Sequence, residues 1–270
     1  MKKIVILFIV VIAACGSRST HDERLTESET LAAPVTQISI ANPNQFTFAI
    51  VGDTHVGGQN TTRLTAILNQ AKAEGDSFVA LLGDIVDTGE RDDVLAVKAA
   101  ITATGWNGKV IPVIGNHDVF HDGWKSYREL QGASRFTVDA GNSRFIVLDT
   151  ADGVVGDKQE DWLRGELNKA LPQNVFILSH YLPMIPGQRT YLKLSNEVES
   201  MRLMKLAANH SVKGWLGGHY HGFGIQDVEG VEYVVAGGGG GRKMRPLNHH
   251  FFVQVQVNEG EIKYEVKLID

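Results

Sequence analysis

Short apolar runs alternate with amphipathic stretches along most of this chain, and the chemistry-bearing residues cluster just after the runs. Residues 46–51, Phe-Thr-Phe-Ala-Ile-Val, are short and rich in aromatic and β-branched side chains, which predicts a buried strand. Residues 61–74 place Leu64, Ile67, Leu68 and Ala71 at i, i+3, i+4 and i+7, the spacing of one helix face, and Gly75 can end that helix. Further strands are predicted at 78–82, 109–114, 144–148, 175–178 and 212–216. Helices are expected from Asp92 or Asp93 to about 104, over 158–170 and over 197–209, with a short helical patch at 124–130 in an otherwise irregular 119–139. Pro112 argues against a fully hydrogen-bonded central strand at 109–114 and fits an edge or a bulge. After 223 the pattern changes. Strands at 223–227, 231–236, 251–257 and 261–268 follow one another without helices, an antiparallel edge on a β-α-β body. The pattern implies an α/β fold with two packed mixed β-sheets and helices outside.

The chain has 270 residues, 43% of them hydrophobic, enough for one domain with a substantial core, placed at 46–270. Net charge is -5 and no basic block suggests a nucleic-acid groove. Residues 16–45 are polar, with Asp22, Glu23, Glu27 and Glu29, and read as a tether with a short strand near 37–40. Lys2-Lys3 followed by the apolar residues 4–14 reads as a targeting signal, too short to span a bilayer comfortably. Ile12-Ala13-Ala14-Cys15 resembles the lipobox of bacterial lipoproteins, which implies a signal peptide at 1–14 and lipidation of Cys15. Gly16 after the cysteine resembles lipoproteins not held at the inner membrane, so the expected location is the cell envelope: the periplasmic face of a membrane, the outer one, or the cell surface. With Cys15 the sole cysteine, an intrachain disulfide and a thiolate zinc site are excluded.

The residues after the strands define the chemistry. They are Gly52-Asp53-Thr54-His55, Gly83-Asp84-Ile85-Val86-Asp87, Gly115-Asn116-His117-Asp118, Ser179-His180 and Gly218-His219-Tyr220-His221. Side chains at the carboxyl ends of strands are where α/β sheets place their sites. Asp53, Asp84 and Asn116 offer oxygen; His55, His180, His219 and His221 offer nitrogen. One ion rarely takes seven such groups, whereas two can share them if a carboxylate bridges. Mixed carboxylate and imidazole donors suit Mn, Fe, Zn, Ni or Co. Two such ions about 3.5–4 Å apart can hold a hydroxide and clamp a phosphoryl group.

In this order the five motifs resemble those of the calcineurin-like metallophosphoesterase family, from residue 46 to about 240. The resemblance implies a four-layer αββα sandwich and a dinuclear phosphoesterase that attacks phosphorus with a metal-bridged hydroxide. It implies that Asp53, His55 and His221 hold one metal, that Asn116, His180 and His219 hold the other, and that Asp84 bridges them. His117 is then not a ligand but donates a hydrogen bond or proton to the phosphate, and Asp87 resembles the carboxylate that orients it. The purple acid phosphatases use a tyrosine a few residues after the bridging aspartate; Ile85-Val86-Asp87-Thr88 has none, so an iron–tyrosinate site is not implied.

Asp118 reads as a turn or supporting residue, and His121, His210, His249 and His250 as surface or packing residues. The run Gly237 to Gly241 lacks the Gly-Lys-Ser/Thr of a P-loop, leaving close approach to the site or a flexible turn. Arg242, Lys243 and Arg245 either attract an anionic substrate or form a solvated turn. Substrate choice falls to the loops 119–132, 151–157, 181–195 and 242–250. The substrate class, monoester or diester, stays open, as does a member of this fold that binds metal or a phosphorylated ligand without turnover, or one acting on non-phosphate esters.

Overall fold

The computed structural model describes residues 19–187, 192–243 and 249–269. The expected signal at 1–14, Cys15 and Arg245 lie outside the described residues. No described helix is long and apolar enough to cross a membrane. In chain order the elements are α1 (His21–Ser28), β1 (Gln37–Ile38), β2 (Gln45–Val51), α2 (Thr62–Ala73), β3 (Val79–Leu82), α3 (Arg91–Ala103), β4 (Val110–Val113), α4 (Gly123–Leu130), β5 (Phe136–Ala140), β6 (Ser143–Val147), α5 (Gly156–Leu167), β7 (Asn174–Leu178), α6 (Glu197–Asn209), β8 (Gly214–Gly217), β9 (Phe223–Val228), β10 (Val231–Ala236), β11 (His250–Asn258) and β12 (Glu261–Ile269).

The strands form two mixed sheets. One has the order β1-β5-β6-β7-β8-β10-β9, the other β12-β11-β2-β3-β4. The phenylalanines of the two sheets meet between them. Phe48 stacks on Phe78 at 4.7 Å, Phe145 stacks on Phe176 at 5.1 Å, and Phe48 meets Phe145 edge-on at 5.2 Å. Full burial of each such ring stabilises by roughly 1.5–3 kcal/mol. Ala49 and Val51 point the other way from β2 and pack with Leu64, Ile67, Leu68, Val94 and Val97 of α2 and α3. Leu163, Leu167, Leu203 and Leu206 of α5 and α6 pack on Ile146, Ile177 and Trp215 outside the larger sheet. Helix, sheet, sheet, helix is therefore the layer order. Both faces of β2 are covered from Phe48 to Val51, which is why that stretch reads as a continuous apolar run. β4 lies at the edge of its sheet, which accommodates Pro112.

Three regions differ from expectation. The late strands do not form one edge: the β9–β10 hairpin extends the larger sheet through β8, while the β11–β12 hairpin joins the smaller one through β2. Residues 136–139, at the end of the stretch expected to be irregular, belong to β5 and pair with β6. The segment read as a tether is helical and docked at 21–28. Thr20 and Glu23 form a reciprocal capping box at the start of α1. Arg24 is 0% exposed; it donates to both carboxylate oxygens of Asp149, to Asp152, and to the Ser19 carbonyl. His21, placed in the tether by its sequence context, is buried with Nε2 3.1 Å from the Asp149 carbonyl oxygen. Buried polar pairing, not an apolar stripe, holds this helix.

Candidate metal centre

The loops that leave the C-terminal ends of β2, β3, β4, β7 and β8 converge, so the two sheets contribute to one site. The smaller sheet delivers Asp53, His55, Asp84 and Asn116; the larger delivers His180, His219 and His221. Ligand atoms of Asp53, His55, Asp84 and His221 lie within 4.8 Å of one another, and so do those of Asp84, His180 and His219. Asp84 belongs to both groups. Its Oδ2 is 3.3 Å from His180 Nε2 and 3.8 Å from His55 Nε2. His221 Nε2 is 3.3 Å from Asp53 Oδ1 and 3.3 Å from His55 Nε2. Asn116 Oδ1 is 3.1 Å from His180 Nε2.

In His180 and His221 the ring nitrogen facing away from this cluster is held by a main-chain acceptor. His180 Nδ1 lies 2.9 Å from the Leu82 carbonyl oxygen, and His221 Nδ1 lies 2.9 Å from that of Arg242. A carbonyl only accepts, so each Nδ1 carries a proton and each Nε2 is turned into the site. The backbone accepts unfavourable conformations to do this. Asp53, His55, Asp84 and His219 all have left-handed φ, at 61°, 44°, 47° and 63°. Each such non-glycine residue costs on the order of 1–3 kcal/mol, and such outliers gather at functional sites. At Gly83, with φ +85°, a Cβ would stand 2.5 Å from His180 Nδ1. The five-glycine run makes the close approach considered above: a Cβ on Gly237 would lie 2.6 Å from Asp53 Oδ2, and one on Gly241 would lie 2.5 Å from His221 Cε1.

Charge is unevenly shared. Burial disfavours the ionised form of Asp84, but the charge and hydrogen bond of His180, reinforced by His117, hold its carboxyl well below the usual range. Burial also opposes protonation of His180, yet Asp84 beside it overcomes that and raises the imidazole to about 9. His219, buried next to His180, is pushed down to about 3. Two buried side-chain atoms in the cluster, Asp53 Oδ2 and His219 Nδ1, have no hydrogen-bond partner. An acceptor-only oxygen and an imidazole that resists protonation, both buried without a donor, fit a cation better than they fit each other. The donor set of carboxylate, imidazole and amide oxygen fits transition-metal ions.

The other candidates are placed as follows. Asp118 is buried behind the site, accepting from Val86 N at 2.9 Å and Gly115 N at 2.8 Å, a support for two site loops. His117 stands beside His55, ring centroids 4.6 Å apart. Its Nδ1 is 2.7 Å from the main-chain carbonyl oxygen of Asp87. Asp87, implied to orient His117, stands beside both His117 and His55. Its carboxylate lies 3.1 Å from His55 Nδ1 and 3.8 Å from His117 Nδ1, so the main chain orients His117 and the side chain braces His55. Asp87 N donates to the Val56 carbonyl oxygen, which draws the Asp87 turn against the His55 loop. Tyr181, the first residue of the 181–195 loop expected to bear on substrate choice, stacks on His219 at 3.8 Å between centroids. The signal available was its position next to His180. His210 packs against the Leu206 carbonyl and Asn168, and His250 Nδ1 lies 3.3 Å from the Gly238 carbonyl.

The sequence profile described as calcineurin-like phosphoesterase matches residues 46–223. A protein of Rhodococcus erythropolis described as a probable cyclic nucleotide phosphodiesterase is 28% identical over 210 residues, 69% of this chain and 68% of that protein. Among solved structures, the purple acid phosphatase PPD1 from yellow lupin seeds superposes with a TM-score of 0.67 at 14% identity over 88% of this chain. This chain spans 54% of the lupin chain's length. GAP50, the anchor in the inner membrane complex of Plasmodium, superposes at 0.56 and 12% identity over 82% of this chain and 84% of its own. At those identities the structural matches establish the fold.

Proposed function

The chain belongs to the calcineurin-like phosphoesterase family, and from that premise we propose that it is a dinuclear metallophosphoesterase acting on phosphodiesters. The observation that carries the reading is the sharing of Asp84 between two donor groups, one with Asp53, His55 and His221, the other with His180 and His219. Asn116, against His180, completes the second set. Divalent or trivalent ions of the Mn, Fe, Zn, Ni or Co kind, when bound there, supply Lewis acidity to the phosphoryl oxygens and make water available as a nucleophile near neutral pH. The chain's own residues do the rest. His117, with Nδ1 against the Asp87 carbonyl, turns Nε2 outward, and in its protonated form it hands a proton to the leaving oxygen. The Asp87 carboxylate keeps His55 oriented. The diester preference is supported by the phosphodiesterase description of the Rhodococcus relative. The cell-envelope anchor at Cys15 belongs to the same reading; incorporation of labelled palmitate that persists in a Cys15→Ser variant would exclude it.

The test compares bis(4-nitrophenyl) phosphate with 4-nitrophenyl phosphate on the Mn-loaded protein, with metal content measured alongside. The expected result is two ions per chain and at least about a tenfold preference for the diester, a difference of about 1.4 kcal/mol in the barrier. Two bound ions with no turnover of either ester would overturn the reading in favour of a non-catalytic binding protein. A preference for the monoester would overturn the substrate class alone.

A further inference from the structure

The histidines of the metal centre are held in two different ways. His180 Nδ1 lies 2.9 Å from the Leu82 carbonyl oxygen, His221 Nδ1 lies 2.9 Å from that of Arg242, and His55 Nδ1 lies 3.1 Å from the Asp87 carboxylate. His219 departs from this pattern. Its Nδ1 is buried without a hydrogen-bond partner, and a tyrosine ring lies against the face of the imidazole. The Tyr181 and His219 centroids are 3.8 Å apart, with 30° between the ring planes. We propose that Tyr181 is the positioning residue for His219, its aromatic face fixing the plane of that imidazole and with it the affinity of the second donor group for its ion. The inference rests on the dinuclear reading above and adds a residue to it.

Geometry is the first argument. A ligand side chain has to be held within roughly 10–20° of its productive orientation. A hydrogen bond to the ring nitrogen away from the ion does this for most ligand histidines. A ring packed face to face does it as well, because turning the imidazole about its own side-chain torsion would drive its edge into the neighbouring face. The main chain of His219 is fixed separately: it sits at a left-handed φ of 63°, and its N–H donates to Asp53 Oδ1 at 3.2 Å. Those features place the Cα, and the Tyr181 ring acts on the side chain.

The setting of Tyr181 is the second argument. Its N–H donates to Thr150 Oγ1 at 2.9 Å, and its carbonyl accepts from Ser179 Oγ at 2.8 Å. Ser179 Oγ in turn accepts from Nε1 of the fully buried Trp215 at 2.8 Å, which ties the residue to β8. The half-buried ring packs on the apolar layer outside the larger sheet. Tyr181 also follows His180 directly, so one loop carries a ligand and the brace for another ligand of the same donor group. The three rings form one cluster, with Tyr181 edge-on to His180 at 5.3 Å and His180 edge-on to His219 at 5.1 Å. His221 and His55 keep their own acceptors on Arg242 and Asp87. Loss of the Tyr181 face therefore weakens one ion and spares the other.

The experiment titrates Mn into the metal-free protein by calorimetry and follows the same titration by electron paramagnetic resonance, which distinguishes an isolated Mn ion from a coupled pair. Tyr181→Leu removes the ring and keeps apolar bulk. Tyr181→Met, flexible enough to refill the space, repeats the test where leucine packs badly. Tyr181→Phe keeps the face and drops the hydroxyl. In the leucine and methionine variants one binding step should weaken by at least about tenfold while the other stays within about twofold. The isolated-ion signal should persist in them at two equivalents of Mn, where wild type and Tyr181→Phe give the coupled pair. Their kcat for bis(4-nitrophenyl) phosphate should return to the wild-type value at saturating Mn. Unchanged affinities in both variants overturn the proposal, and so does equal weakening of both steps, which is a general loosening of the loops. A loss in Tyr181→Phe as large as in Tyr181→Leu assigns the effect to the hydroxyl and overturns the role of the ring face. A low kcat with both ions bound places Tyr181 on the substrate and overturns the positioning role. A wild-type protein that takes up fewer than two ions is the distinct result that removes the dinuclear reading itself.

Discussion

Asp84 and Asp87 stand three residues apart on one loop and do different work. Asp84 lies between the His55 and His180 nitrogens, whereas the Asp87 carboxylate lies 3.1 Å from the outer nitrogen of His55 and 3.8 Å from His117 Nδ1. Asp84→Ala is expected to lower metal content below two ions per chain and to drop turnover to background. Asp87→Asn is expected to weaken metal binding by about 10–100-fold, as loss of a histidine-bracing carboxylate does, with kcat recovered at saturating Mn. A fall in kcat without a change in metal affinity would instead place its carboxylate on His117. A second residue-scale prediction concerns Asp76, away from the site. Burial raises its carboxyl from 3.8 to about 6, against a hydrogen bond from Gln254. Its folded value lies above the unfolded one, so its contribution to stability is complete below about 3.8 and is lost as pH rises through about 6. Asp76→Asn should therefore remove that stretch of the stability profile and stabilise the protein at pH 7.5 by on the order of 2–3 kcal/mol, read by urea unfolding.

At the scale of elements, α1 shows how a helix can be missed in sequence and matter to the fold. Its eight residues carry a single leucine, so no apolar period marks it. Thr20-x-x-Glu23 was the readable signal, a capping box, and it specifies where a helix starts without specifying that the helix docks. Docking depends on Asp149, 125 residues away, and on the burial of Arg24 beside it. Arg24→Met is expected to destabilise by about 3–5 kcal/mol, because it leaves Asp149 buried and uncompensated. Asp22→Ala, on the exposed face, should stay within about 0.5 kcal/mol. Equal effects of the two would mean that α1 contributes only its charge. β5 was missed for a related reason. Phe136, Val138 and Ala140 alternate with polar residues as a half-covered strand does, but the run is short and follows an irregular stretch. Gly141 and Asn142, which turn the chain back into β6, supply the hairpin signal.

In the whole molecule the site is a seam. Asp53, His55, Asp84 and Asn116 come from one sheet and His180, His219 and His221 from the other, so bound ions would join the two. Loading with Mn is expected to raise Tm by about 5–10 °C at a hundredfold excess over Kd, and a chelator to reverse it. The effect should grow with pH. In the metal-free protein His180 is raised to about 9, above its unfolded value, so its stabilising pair with Asp84 is complete below about 6.5 and lost as pH rises through about 9. Metal must displace that proton, so binding strengthens over the same interval. The gap between loaded and metal-free Tm should widen from pH 6 to pH 9; a constant gap would mean that His180 is not a ligand. The sequence alone determined the α/β class, the apolar strands and the glycine-flanked Asp, Asn and His residues, because strand periodicity and loop chemistry are local properties that a short window records. Only the tertiary structure decided how the late hairpins divide between the sheets, that α1 is buried, that Asp87 braces His55 and that Tyr181 stacks on His219. Each of these depends on which distant residue a side chain meets, and that is set by packing across the two sheets rather than by spacing along the chain.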